Sequence, residues 1–393
     1  MEITLIGLGY VGLPVACSFA KNGVTVYGIE KNPMILNNLK KRKFDYTEPG
    51  LNEILNKVLD DKLIVSSDII PSSVYIITVQ TPVDNKHNAD NSYVFSAVAE
   101  IAPFLKDDDL VILESTVPIG TNDEVINLLK QKTNVKFNYC YCPESILPGN
   151  IFYEIENNNR TIGGKDEKSR KKAKEIYDII NVKEKSLTGI KEAEFVKLVQ
   201  NAHRDVEIAF ANELSIMCDQ EGVNPFDVIE IANKHPRCSL LSPGSGVGGH
   251  CLAVDPYFLI ERYGDNASLI DAARKVNNRK PIYIAEKAME KVQYNKTKII
   301  GVLGLSYKPN CEDCRESSGI AIVKYLQNKG YKVLANEINC MQEQIYNVLN
   351  CDLNEVIEKS DCIIIAQKHK QYFDVDLSKK IVVDSVNLLN KKM

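Results

Sequence analysis

Nowhere in the 393 residues does an apolar run reach the ~18 positions that a membrane-spanning helix needs. The basic excess of a nucleic-acid binder is also missing. Lysine and arginine number 48 against 52 acids, leaving a net charge of −4, and the basic cluster at 168–174 reads as a solvated helix face. The opening residues MEITLIG run straight into a strand without a basic-then-apolar leader, so a cytoplasmic location is expected. In that setting the 11 cysteines are expected as thiols and not as a disulfide framework. Cys140 with Cys142, and Cys311 with Cys314, lack a second pair at ligand spacing, which argues against a structural metal. What is left is an ordinary globular composition, 44% hydrophobic and 25% charged, with room for two or three domains.

Glycine is concentrated in one stretch, 242–256, where Gly244, Gly246, Gly248 and Gly249 lie between Pro243 and Pro256 and lead to Cys251. Such glycines cost backbone entropy that a mere connection does not need, and they permit close approach or positive φ. Asp255 followed by Pro256 reads as a helix N-cap and first helical position. That sets the Cys251 thiol just before a positive helix end, which favours the reactive thiolate. A glycine loop around a buried structural cysteine fits the same residues, because cysteine is among the most buried types.

At the other end of the chain a strand at 3–6 runs into GLGYVG at 7–12, and 13–22 has helical periodicity. This is the order of the dinucleotide fingerprint. Gly7 allows the tight turn, Gly9 lets backbone approach a pyrophosphate, and Gly12 lets helix and strand pack, with the helix N-terminus facing the negative charge. The strand at 24–29 ends at Glu30, an acid suited to ribose hydroxyls and repellent to a 2′-phosphate, so NAD is expected. Further strands at 63–66, 74–78, 109–113 and 137–140 alternate with helices at 52–59, 93–102 and 122–131. That alternation predicts a parallel, doubly wound α/β sheet. Function then belongs at strand C-terminal ends, where Thr81, Glu114, Thr116 and Glu144 fall, although turn and capping chemistry explains the same residues.

A long helix is expected over 190–224. Glu194, Lys197 and Asn201 share one of its faces, as a polar constellation or as a solvated i, i+4 pair. Helix continues over 267–291 until Pro281 interrupts it. From about 295 a strand and glycine turn (298–308), a helix (320–328) and a strand (331–337) echo residues 3–30, with more sheet at 362–366 and 381–384. Lys308 and Arg315 lie at the ligand end of this weaker repeat, which lacks the full fingerprint. The expected architecture is two doubly wound Rossmann-like domains joined by a helical central region with a long helix: 1–186, 187–294 and 295–393.

Seven motifs in order then carry a resemblance: GLGYVGLP at 7–14, ESTVPIGT at 114–121, CPES at 142–145, EAEFVKLVQNA at 192–202, FANE at 210–213, GGHCLAVDP at 248–256 and GLSYKPNCEDCRES at 304–317. The chain resembles the UDP-glucose/GDP-mannose dehydrogenase family, which oxidises the 6-hydroxyl of a nucleotide sugar to a carboxylate with two NAD. PESILPG at 143–149, NRTIGG at 159–164, HRDV at 203–206 and HPRC at 235–238 look most like the branch acting on UDP-N-acetyl-D-mannosamine. UDP-glucose enzymes usually carry a second glutamate four residues after the one matching Glu144. Pro148 stands there, which puts in doubt a hydrolysis that depends on that second carboxylate.

The resemblance implies roles residue by residue. Cys251 captures the intermediate aldehyde as a thiohemiacetal, then carries the thioester. Lys197 and Asn201 stabilise the alkoxide or oxyanion, Asp255 and Thr116 hold a proton-accepting water, and Glu144 orders or activates the hydrolytic water. Asp255 fits the helix-cap role as well. NAD contacts are implied for Gly7, Gly9, Tyr10, Val11, Gly12, Glu30, Thr81, Thr116 and Arg315. UDP-sugar contacts are implied for Glu144, Ser145, Ile146, Leu147, Lys197, Asn201, Arg204, His235, Arg237, Gly248 and Lys308. Family members pair through the central region, so a homodimer is expected, with Arg237 reaching the neighbour's substrate or else tying down its own loop. UDP-N-acetylglucosamine and UDP-glucose are the next substrates in order. A two-electron hydroxyacid-type dehydrogenase shares the fingerprint, and a silent NAD-binding scaffold is opposed by the Cys251, Lys197 and Asn201 set.

Overall fold

Strands buried on both faces read as continuous apolar runs, and helices alternate with them to cover the sheet. The computed structural model, which describes residues 1–42, 48–84, 88–146 and 149–390, shows this alternation in two bodies, Met1–Gln200 and Asn201–Met393. The first body opens with β1 (Glu2–Ile6), α1 (Gly12–Lys21), β2 (Thr25–Ile29), α2 (Pro33–Lys40), α3 (Leu51–Val58) and β3 (Leu63–Ser66). It continues through β4 (Val74–Ile77), α4 (Ser92–Ile101), β5 (Leu110–Leu113), α5 (Thr121–Lys132), β6 (Asn138–Tyr141), α6 (Ile151–Asn157), β7 (Arg160–Gly164), α7 (Glu167–Ile179) and β8 (Lys185–Thr188). Strand order is β3-β2-β1-β4-β5-β6-β7-β8. The first six are mutually parallel in the doubly wound order. β7 runs antiparallel to β6, with β8 parallel beside it.

Alternate residues of each strand supply opposite cores. Leu110 and Ile112 pack with Ile3, Leu5 and Ile76 on one face; Val111 and Leu113 pack with Ile6, Tyr75 and Ile77 on the other. β7 and β8 were absent from the sequence expectation. β8 is KSLT at a sheet edge with no buried residue, so no apolar run announced it. The lysines of 168–174 lie on α7, where Lys168 and Lys172 pair with Asp108 and Lys174 with Asp178.

The boundary between the bodies falls inside the long helix α8 (Ile190–Gln220). The second body adds α9 (Pro225–Ala232), α10 (Asp255–Tyr263), α11 (Ser268–Lys291), β9 (Ile299–Leu303), α12 (Ser318–Asn328), β10 (Lys332–Asn336), the hairpin β11 (Gln344–Ile345) and β12 (Val348–Leu349), α13 (Leu353–Lys359), β13 (Cys362–Ile365) and β14 (Ile381–Asp384). Its sheet is parallel in the order β10-β9-β13-β14. Pro281 does not interrupt α11 as expected; the helix passes through it. Proline frees the carbonyl four residues back, here that of Asn277. Gly246, at φ +137°, brings the glycine loop against Pro281 and that carbonyl, where a Cβ would come within 2.9 and 3.2 Å.

The two sheets repeat one turn. Gly7 (φ +96°) donates its N–H to Ile29 at 2.8 Å, and Gly304 (φ +95°) donates to Asn336 at 2.9 Å. A Cβ on Gly12 would fall 1.9 Å from the Gly7 carbonyl oxygen, and one on Gly319 would fall 2.2 Å from that of Gly304. Glu30 accepts the N–H of Leu8, and Glu337 accepts those of Leu305 and Ser306. An acid at the end of the neighbouring strand therefore braces the glycine turn in both.

Candidate active site

In the first body the glycine turn leaves its outer side open. A Cβ on Gly9 would meet no atom within 4 Å, and Val11 at the start of α1 makes no side-chain cap bond. Open space over backbone beside an uncapped helix N-terminus fits the diphosphate of a dinucleotide. Tyr10 and Val11 are half-buried in the same turn. Glu30, at the end of β2, is also half-buried, and its carboxylate accepts N–H bonds from Leu8 and Asn32. Thr81 donates to the Thr116 carbonyl at 2.6 Å, joining the segments after β4 and β5.

After β6 the chain reaches Glu144, which is 8% exposed. Its Oε1 accepts the Ser145 N–H at 2.7 Å, its carboxylate pairs with Arg160, and its carbonyl oxygen accepts the ammonium of Lys197 at 2.7 Å. Ser145 donates to Gln200, and Ile146 packs against the core; Leu147 and Pro148 lie outside the described residues. Glu194 does not join this group, contrary to the reading of one polar face. It accepts the N–H groups of Gly120 and Asn122 and the Asn122 amide, capping α5, whose own N-cap is a glycine.

In the second body Asp255 is not a cap. It is the first residue of α10, Val254 holds the cap position without a side-chain bond, and the Asp255 carboxylate accepts the Asn201 amide. The carboxylate thus has a polar partner from α8 while standing in the first turn of α10. Cys251 is half-buried, and its carbonyl closes a turn by accepting the N–H groups of Val254 and Asp255. Two of the preceding glycines are required by contact. A Cβ on Gly248 would come 2.5 Å from the Glu316 carbonyl oxygen, and one on Gly249 (φ +85°) would come 3.0 Å from the Tyr307 ring. The Gly249 N–H reaches the Arg315 carbonyl. Arg315 itself pairs with Asp313, and the Lys308 ammonium lies 5.9 Å from the Tyr307 ring.

Sequence reasoning missed the strap that holds this loop. Asn212 accepts the Gly244 N–H and donates to Asn277; Asn277 donates to Asp205; Asp205 pairs with Arg274 at 2.7 Å; and Arg274 donates to the Leu252 carbonyl. Asn212 belongs to the FANE motif, which was the available signal. Arg204 is exposed and pairs with Glu207. His235 and Arg237 are exposed too, with the Arg237 N–H on the His235 ring, while the Arg237 guanidinium makes no hydrogen bond or ion pair among the described residues. No three His, Cys, Asp or Glu side chains among the described residues are grouped to hold a metal ion, and no described helix is long and apolar enough to cross a membrane.

Comparison with known proteins agrees along the whole chain. A UDP-N-acetyl-D-mannosamine dehydrogenase of Methanocaldococcus jannaschii is 36% identical, covering 100% of this chain and 93% of its own. An NDP-N-acetyl-D-galactosaminuronic acid dehydrogenase of Ralstonia nicotianae is 34% identical, covering 99% and 96%. The solved UDP-D-ManNAc dehydrogenase of Pyrococcus horikoshii superposes with a TM-score of 0.93 at 35% identity, over 100% of this chain and 96% of that one. Family models for the NAD binding, central and UDP binding domains match residues 1–181, 191–279 and 301–391. The chain belongs to the UDP-glucose/GDP-mannose dehydrogenase family.

Proposed function

We propose that this protein is an NAD-dependent 6-dehydrogenase of a UDP-sugar, with UDP-N-acetyl-D-mannosamine as first substrate and its uronic acid as product. The observation that carries the reading is the half-buried Cys251, at the end of a loop in which Gly246, Gly248 and Gly249 are enforced by contact, four residues before an Asn201-bonded Asp255. Turning an alcohol into an acid removes two hydrides, and an aldehyde yields the second only after a nucleophile has made its carbon tetrahedral. NAD, when bound at the glycine turn, supplies the acceptor for each hydride.

Asp255 and Thr116 hold the water that takes the proton of the 6-hydroxyl. Cys251 then adds to the aldehyde, the thiohemiacetal is oxidised to a thioester, and a water ordered by Glu144 releases the acid. Lys197 and Asn201 stabilise the developing oxyanion, a role typically worth about 3 kcal/mol per donor. Gly7, Gly9, Tyr10, Val11, Gly12, Glu30, Thr81 and Arg315 serve the cofactor. Ser145, Ile146, Arg204, His235, Arg237, Gly248 and Lys308 serve the sugar nucleotide.

On this reading 1–186 holds NAD, 187–294 carries the thiol and the dimer contact, and 295–393 holds UDP. The protein is a cytoplasmic homodimer. Val199, Phe210 and Met217 of α8 are about half exposed, an apolar set suited to a second copy. The sugar is tested by following NADH with UDP-N-acetylmannosamine, UDP-N-acetylglucosamine, UDP-N-acetylgalactosamine and UDP-glucose. The mannosamine substrate should lead in kcat/KM by about tenfold or more. A lead for any other sugar refutes the assignment.

A further inference from the structure

Glu144 has a buried neighbourhood that the proposed mechanism does not yet use. Arg160, at the start of β7 with its side chain 2% exposed, lies between two carboxylates. One is Glu144. The other is Glu114, fully buried at the end of β5, whose Oε1 is 3.6 Å from the guanidinium. Tyr177 of α7 donates its hydroxyl to Glu114 Oε1 at 2.7 Å, and the guanidinium stacks 4.5 Å from the Tyr177 ring. Arg160 also donates to the Cys142 carbonyl at 3.4 Å. Glu114 Oε2 is buried without a hydrogen-bond partner among the described residues.

Resting on the reading of Glu144 as the group that orders the hydrolytic water, we infer that Glu114 is a second carboxylate of the hydrolytic step. It acts through Arg160 on Glu144, so that the buried set accepts the proton of the attacking water. Glu114, Arg160 and Tyr177 are positioning residues in this scheme, and Glu144 alone faces the reaction. One guanidinium serves two carboxylates, and in a buried setting the unmatched negative charge favours uptake of one proton by the set as a whole.

The groups facing Glu114 agree with this. Burial, then the Glu144 charge, push its pKa up to about 7 against the opposing pull of Arg160 and the Tyr177 hydroxyl. The Tyr177 hydroxyl and the Cys142 thiol, both raised far above their usual range by burial, stay protonated. Lys197 binds the carbonyl of Glu144 and not its carboxylate. In the step itself the water oxygen adds to the thioester carbon and its proton passes to Glu144. The C–S bond then breaks, with its electron pair leaving on the Cys251 sulfur. Nothing is oxidised or reduced.

The test is rapid-quench mass spectrometry of the full-length enzyme with NAD and the UDP-sugar, following the acyl adduct on Cys251 across pH 5.5–9. In the wild type, adduct breakdown should climb with pH through about 7. Glu114→Gln should lose that limb, slow breakdown about tenfold or more, and let the adduct accumulate. Tyr177→Phe, which removes a donor to ionised Glu114, should move the limb to higher pH. Wild-type breakdown and an unchanged limb in Glu114→Gln overturn the inference while leaving the covalent mechanism standing. If Glu114→Gln is misfolded by circular dichroism, an unshifted limb in Tyr177→Phe overturns it. A wild type that forms no adduct removes the mechanism and the inference together.

Discussion

Single buried charges show what the spacing of a sequence does and does not disclose. Lys197 and Asn201 could be paired by their i, i+4 spacing, but their partners, the Glu144 carbonyl and the Asp255 carboxylate, are remote in sequence. Glu194 sits on the same helical pattern and goes elsewhere, to α5, because a glycine cap leaves that helix end in need of an acceptor. Arg160 was passed over because one arginine in NRTIGG gives no hint that two carboxylates await it. Lys280 carries a stability prediction of the same kind. It is 5% exposed on α11, bonded to the Ser215 hydroxyl, and burial lowers its pKa from 10.5 to about 8. Between those values the unfolded chain binds more protons than the folded one, so stability rises with pH through that window, and below it the folded state bears the full cost. Lys280→Met should therefore be more stable at pH 7 by about 1–3 kcal/mol, with the advantage shrinking between pH 8 and 10.5. Thermal unfolding of both proteins at pH 7 and pH 10 checks this; a variant less stable at pH 7 would show that the Ser215 bond outweighs the burial cost.

At the scale of elements, periodicity placed β1 to β6 and several of the helices between them, but it missed β7, although every residue of that strand is buried. It failed where local chemistry is overridden by contact. Pro281 reads as a helix breaker, yet Gly246 packs on it and α11 continues. Asp255-Pro256 reads as cap and first turn, yet Asn201 claims the carboxylate. The glycine loop was legible as a closely packed loop from its composition, whereas its strap was not, because Asp205, Asn212, Arg274 and Asn277 come from two helices. The strap predicts that Asn212→Ala, which frees the Gly244 end, loosens the loop and lowers kcat about tenfold with KM little changed, the signature of lost preorganisation. Peptide-level alkylation of Cys251 by iodoacetamide should change in rate in the same variant, while that of the exposed Cys238 does not. An unchanged Cys251 rate together with unchanged kcat would assign Asn212 to folding alone.

For the whole molecule, the composition argued against a membrane-spanning helix and against nucleic-acid binding, and seven ordered motifs carried the family resemblance along the chain. The proposed subunit pairing is the part of the reading least visible in one chain. The Arg237 guanidinium, which has no hydrogen bond or ion pair among the described residues, fits a proposed shared site, and the half-exposed apolar residues of α8 fit the pairing it needs. Arg237→Ala and Lys197→Ala proteins should each be inactive alone and regain activity when mixed after dissociation, since a mixed dimer keeps one intact site. Verified heterodimers that stay inactive would rule out sharing in this form. The central claim, a four-electron oxidation through Cys251, is tested most directly by counting NADH. With limiting UDP-N-acetyl-D-mannosamine the wild type should release two NADH per sugar and a uronic acid, and Cys251→Ser should fail to reach two. One NADH with a carbonyl product from the wild type, or two from Cys251→Ser, would contradict it.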